Sequence, residues 1–181
     1  MAIRRKHVRA LVESLLDQFK IRKASVDVHD LAQKMGIEVR IEAVDNDLSG
    51  FLFRDAQSNK AIIGVNDSHH ENRQRFTIAH EIGHYLLHAG EPVHVDGANV
   101  AFRLNHRDAM SSTGSDDSER EANLFAAELL MPARFLEKDL KSRDIDLLDD
   151  KLVRELAEQY KVSTQALTFR LANLGYVNLN A

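Results

Sequence analysis

Arg73-Gln74-Arg75-Phe76-Thr77-Ile78-Ala79-His80-Glu81-Ile82-Gly83-His84-Tyr85-Leu86-Leu87-His88 is the stretch whose reading decides the fold. Phe76, Ala79, Gly83, Leu86 and Leu87 recur at helical spacing, so the segment reads as one helix with those residues as its buried stripe. Inside it stands His80-Glu81-x-x-His84. Four residues of helix put both imidazoles on one face about a turn apart, close enough to share one metal ion. Glu81 sits beside them, where it can take a proton from a metal-activated water. His80, Gly83, His84 and Leu87 form one stripe, so the histidines lie on or beside the packed face. Gly83 lowers helix propensity, and its retention predicts close approach by another backbone. The bland alternative is a solvated helix whose histidines hold nothing, because the motif fixes only three residue types. The surroundings have to decide.

Composition narrows the chemistry. A chain of 181 residues buries a core without staples and reads as one domain, or one domain with a small appended unit. The net charge of −4 selects no partner. No stretch approaches the roughly 20 apolar residues of a membrane span. Ala2 to His7 is positively charged but has no apolar run after it, so the expectation is a cytosolic protein. With no cysteine there is no disulfide, thiol nucleophile or thiolate site. A tightly held metal must therefore use imidazole and carboxylate. Three such ligands plus water make a catalytic site, with zinc the first expectation and manganese or iron compatible with the same donors.

The remaining elements read outward from the histidine helix. Val8, Leu11, Val12, Leu15, Leu16 and Phe19 make an amphipathic first helix, with Arg4, Arg5, Lys6 and Arg9 as its basic, solvated start. Asp27 caps a short helix from Val28 to Met35, ended by Gly36. Ile37 to Ile41, Leu48 to Arg54 and Lys60 to Val65 read as strands, the last two a hairpin. From Ala89 to Ser118 the pattern weakens to loop, with one short strand at Val100 to Leu104. Glu119 to Met131, closed by Pro132, is a core helix, and Pro132 to Leu136 starts another turn or helix. The whole is α+β.

Two histidines leave a metal underliganded. The candidates for a third ligand are His88, His94, His106, Glu119 and Glu121. His88 lies a turn further along the same helix and cannot easily bend back. Glutamate on a buried helix is costly unless paired or metal-bound, which favours Glu119. Asn123, one turn on, can hydrogen-bond a ligand histidine from behind. Glu121 remains the rival, and an ordinary helix-start carboxylate is the alternative for Glu119.

The His80 block and Glu119-Arg120-Glu121-Ala122-Asn123-Leu124-Phe125-Ala126-Ala127-Glu128-Leu129-Leu130-Met131-Pro132 together resemble the signature of the ImmA/IrrE metallopeptidase family. The blocks cover about thirty residues, and the layout around them fits from the first helix to residue 176. The resemblance implies a minimal zincin-like core: a small mixed or antiparallel sheet packed on the active-site helix, with additional helices. It implies zinc ligands His80, His84 and Glu119, with Glu81 as the base. Tyr85, His88, His106 and Tyr176 are candidate second donors to the oxyanion. It also implies a helix-turn-helix repressor as substrate or ligand, acting in trans. The chain divides at about residue 143: 1–143 as the peptidase core and 144–181 as a helical hairpin packed on it.

That hairpin carries a competing reading. Leu152 to Ala157, the turn Tyr160-Lys161-Val162-Ser163 and Thr164 to Leu174 have helix-turn-helix periodicity with Ser163 as cap. Its second helix offers only Arg170 as a strong base or phosphate contact, and its flank from Asp144 to Asp150 is acidic. A DNA-reading unit should be basic, so packing on the core is preferred to direct DNA binding. Three functions stay open: a peptidase, a binding module that sequesters a repressor without cutting it, and a DNA-binding regulator. The strand Lys60 to Val65 is the expected sheet edge for an extended substrate, because it leads into the active helix.

Overall fold

A computed structural model describes residues 3–43, 48–55, 60–88, 93–97, 114–141 and 150–177, with the side chains of all but 93–97 and 114–116. The order is α1 (Arg5–Gln18), α2 (Val28–Lys34), β1 (Ile37–Glu42), β2 (Leu48–Asp55), β3 (Lys60–Asn66), α3 (Glu71–Leu87), β4 (Val93–Gly97), α4 (Gly114–Leu130), α5 (Ala133–Lys141), α6 (Asp150–Tyr160) and α7 (Thr164–Asn173). The fold is α+β with one small mixed sheet. Asp27 caps α2 by accepting from the backbone N–H groups of His29 and Asp30, and Gly36 follows in the left-handed region that ends it.

The strands run β1-β3-β2-β4, with β1 parallel to β3 and the other two pairs antiparallel. Two expectations need correction. β3 is not an edge, because β1 covers one side of it and the hairpin partner β2 the other; the edges of the described sheet are β1 and β4. The stretch read as loop after Ala89 contains β4, a short alternating run that Pro92 and Gly97 bracket. The strand expected at Val100 to Leu104 lies outside the described residues. One face of the sheet, with Leu52, Ala61, Ile63 and Val65 inward, is buried. On the other, Phe51 lies across the cross-strand position of Gly64, and Phe53 is 39% exposed.

Helix α3 lies between the sheet and α4. It is buried from Thr77 to His84, so the single stripe expected for it is too narrow: Ile78 and Ile82 are fully buried too. Two glycines allow this. A Cβ on Gly50 of β2 would stand 2.4 Å from Thr77 Cγ2, and one on Gly83 of α3 would stand 3.2 Å from Ala122 Cα and 3.1 Å from Phe125 Cδ1. The backbone approach that Gly83 predicted is therefore to α4. Helix α4 begins at Gly114, five residues before the expected start, and buries Ala122, Phe125, Ala126, Leu129 and Leu130.

Charged side chains tie the outer helices on. Glu128 of α4 accepts from Arg9 Nε at 2.8 Å and from Arg170 Nη1 at 2.8 Å, while Arg170 Nη2 closes a fork on the second oxygen. Arg170 Nε also donates to the carbonyl of Met131. Arg9 and Arg4 are thus ion-pair partners rather than the solvated cations read from the sequence, whereas Arg5 and Lys6 are exposed. Leu167 and Leu171 of α7 join the same apolar cluster as α1, and Ser163 caps α7.

Two substitutions test this packing. Gly83→Leu forces a branched chain into the α3–α4 crossing and should destabilise by about 1–3 kcal/mol or more in urea unfolding. Glu128→Ala strands Arg170 in the core and should cost about 3–5 kcal/mol. Stability unchanged in either variant would contradict the packing described.

Candidate metal centre

Helix α3 presents His80 and His84 toward α4, one turn apart, because α3 is continuous through Gly83. Their Nε2 atoms lie 3.0 Å from each other. Glu119, in α4, reaches the same point: its carboxylate oxygens stand 3.4 Å from His80 Nε2 and 3.3 Å from His84 Nε2. Both histidines are nearly inaccessible, at 1% and 3%, while the Glu119 side chain is 22% exposed. Among the described residues this is the one group of three or more potential ligands gathered closely enough to hold a metal ion.

The donor set fits a divalent ion. A tetrahedral ion with bonds of about 2.0–2.1 Å spaces its ligand atoms about 3.3–3.4 Å apart, close to the triangle observed. The proton arrangement agrees. His80 Nδ1 faces Asn123 Oδ1 at 3.2 Å, and that oxygen can only accept. Nδ1 therefore carries the hydrogen, and the Nε2 lone pair points into the triangle. Asn123 is the partner behind a ligand that its place one turn after Glu119 suggests, and it is itself buried.

Glu121, the rival ligand, is turned the other way. It accepts from the backbone N–H of Arg4 at 2.8 Å, from Arg4 Nε at 2.9 Å and from Arg4 Nη2 at 2.6 Å, and lies 3.2 Å from His88 Nε2. The Arg4 side chain, more than any other group, lowers the Glu121 carboxyl from 4.5 to about 2. A depressed folded-state value means that this pairing stabilises the fold fully above pH 4.5 and is lost as pH falls towards 2. Residues 119 and 121 point apart because two positions along a helix turn a side chain by about 200°.

The other expected participants are dispersed. His88 contributes both ring nitrogens to neighbours, Nδ1 to His84 Nδ1 at 3.2 Å and Nε2 to Glu121, so it stands behind His84. Tyr85 lies beneath the Arg54 guanidinium, 5.5 Å from the ring centre. Tyr176, after α7, is 39% exposed. His106 lies outside the described residues. His94 falls on β4 opposite Leu52, in a part whose side chains are not described. Glu81 is fully buried next to His80.

Sequence reasoning missed Arg54. From β2 it donates to the carbonyls of His84 at 2.6 Å and His88 at 2.9 Å, closing the carboxyl end of α3 with the charge its dipole favours. No local spacing signals a strand residue that caps a helix thirty positions later. Arg4 was missed for the same reason: its partner is 117 residues away.

The family model described as the IrrE N-terminal-like domain matches residues 32–172. Metallopeptidase ImmA of Bacillus subtilis (strain 168) is 27% identical over 141 residues, covering 75% of this chain and 72% of that protein. Uncharacterized immunity region protein 2 of Bacillus phage phi105 is 30% identical over 125 residues, covering 69% and 68%. A solved structure, described as a Mycobacterium tuberculosis transcriptional regulator, aligns with a TM-score of 0.60 at 19% identity. It covers 92% of this chain, which spans only 47% of that longer one, and it shows a shared fold.

The geometry predicts about one equivalent of metal per chain, with three protein ligands. Glu119→Ala should leave the protein folded but substoichiometric in zinc by elemental analysis after dialysis. Glu119→Ala protein that retained a full equivalent at undiminished affinity would remove Glu119 from the ligand set.

Proposed function

The chain belongs to the ImmA/IrrE family of metallopeptidases, and from that premise we propose that it is a zinc-dependent endopeptidase of zincin-like architecture. The observation that carries this reading is the convergence of His80 Nε2, His84 Nε2 and the Glu119 carboxylate on one point, with Glu81 adjacent on α3. When bound there, zinc supplies Lewis acidity that polarises a peptide carbonyl and acidifies water at an open position.

The protein's own groups do the rest. Asn123 fixes the ring of His80 in the tautomer that offers Nε2. Glu81 takes the proton of the attacking water and returns it to the departing amine. Its burial keeps bulk water away from the group that carries the proton. Arg54 holds the end of α3, and with it His84, in place. An extended substrate segment would pair with β4, the edge strand beside β2, rather than with the internal β3.

The substrate in this reading is a helix-turn-helix repressor, cut at one or a few sites in an exposed segment. The name of one similar protein, an immunity region protein of a phage, supports this reading. The alternative of direct DNA reading by α6 and α7 loses its main contact, since Arg170 is 3% exposed and forked onto Glu128.

The test mixes zinc-loaded protein, and separately its Glu81→Gln variant, with the repressor encoded nearest its gene, followed by intact mass. Discrete fragments from wild type are expected. Glu81→Gln should bind zinc normally and cleave about 10²–10⁴-fold more slowly. A stable complex without fragments would favour sequestration, and undiminished cleavage by the variant would place the base elsewhere.

A further inference from the structure

The two ligand histidines are supported differently. Behind His80 stands the neutral amide of Asn123. Behind His84 stands a chain of groups: His84 Nδ1 to His88 Nδ1 at 3.2 Å, His88 Nε2 to Glu121 Oε2 at 3.2 Å, and Glu121 to Arg4 through both guanidinium and backbone N–H. The chain leaves α3, crosses to α4 and ends on the segment just ahead of α1. Glu121 is 5% exposed and the His88 side chain 19%, so water competes little for these bonds.

From this arrangement we propose that His88, Glu121 and Arg4 form a positioning relay that fixes the orientation and tautomer of His84, and thereby couples docking of the segment ahead of α1 to metal binding. The inference rests on the metal-centre reading above.

The argument is one of donors and acceptors. A histidine that offers Nε2 to a metal must carry its hydrogen on Nδ1. The Nδ1–H of His84 then needs an acceptor, and the group in front of it is His88 Nδ1. If His88 Nδ1 accepts, a neutral His88 carries its hydrogen on Nε2, where it donates to Glu121. Each bond then has one donor, and the chain closes on a carboxylate. The reverse order, with the hydrogen on His84 Nε2, directs that hydrogen at His80 Nε2, and in neutral rings leaves His88 Nε2 as a lone pair facing the carboxylate. The outer groups therefore favour the tautomer that binds metal. Arg4 keeps Glu121 aimed at His88, and the backbone of His88 is held by its own N–H bond to the His84 carbonyl and by Arg54. Linkage requires the converse: metal on His84 strengthens the hold on Arg4.

A purely structural role would give a different pattern. There, Arg4 and Glu121 pin α1 to α4 while His88 only fills space, and metal affinity is indifferent to all three. The experiment measures zinc affinity by competition with a chromophoric chelator, beside urea unfolding of each metal-free protein, for wild type, His88→Phe, His88→Asn, Arg4→Ala and the double variant His88→Phe/Arg4→Ala. His88→Phe keeps the ring's volume but removes both nitrogens, and should weaken zinc binding by about 10–100-fold with little change in metal-free stability. His88→Asn sets an amide oxygen close to the position of Nδ1 and should recover part of that loss. Arg4→Ala should weaken zinc binding in the wild-type background but not in His88→Phe, because the relay is already cut. The visible spectrum of the cobalt-substituted protein should shift in His88→Phe as the His84 ring reorients. Unchanged affinity in His88→Phe, or equal effects of Arg4→Ala in both backgrounds, would overturn the relay while leaving the metal centre standing. Absence of zinc binding by wild type would overturn both.

Discussion

The constraint on which the candidate site depends is the crossing of α3 and α4 at Gly83. A Cβ there would lie 3.2 Å from the backbone of Ala122, so the helices meet with nothing between them but hydrogen atoms. Everything functional follows from that separation. His80 and His84 flank Gly83 on α3, and Glu119 and Asn123 flank Ala122 on α4. Only when the two backbones touch do a short carboxylate arm and a shorter amide reach the two rings. The sheet serves the same end from behind, since Gly50 lets Thr77 press against β2 and so holds α3 up to α4.

Around this crossing α4 carries several carboxylates, and their fates differ by direction. Glu128 is neutralised by Arg9 and Arg170, which bind α1 and α7 to the core. Glu121 is neutralised by Arg4. Glu119 alone of the three faces His80 and His84. Buried carboxylates demand partners, and the protein supplies arginine where the partner is structural. Where His80 and His84 face α4, their Nε2 atoms and the Glu119 carboxylate lie together as a donor set that fits a cation.

Much of this was legible in the chain. The i,i+4 histidines, the glycine between them and the Glu119-x-x-x-Asn123 spacing are local, and local spacing on a helix converts directly into a face. The caps at Asp27 and Ser163 were readable for the same reason. What escaped was non-local. Nothing near Arg4 or Arg170 announces partners at 121 and 128, so Arg4 read as a solvated cation and Arg170 as a candidate base or phosphate contact. The order of the sheet escaped too: the hairpin of β2 and β3 is local, but the parallel pairing that makes β3 internal joins β1 across a connection that contains β2. β4 alternates at Val93-His94-Val95-Asp96, but Pro92 and Gly97 bracket it so closely that the stretch read as loop. Ile78 and Ile82 were overlooked because a helix packed on two sides has no polar face to reveal its period.

The proposed function requires one ion held between two helices by two imidazoles and one carboxylate. Zinc-edge X-ray absorption of the loaded protein tests that directly. The expected first shell holds two imidazole nitrogens, with their outer-ring scattering, and carboxylate and water oxygens, all at about 2.0–2.1 Å. A shell of oxygens alone, or a single imidazole, would show that the metal sits elsewhere and that the crossing of α3 and α4 serves another purpose.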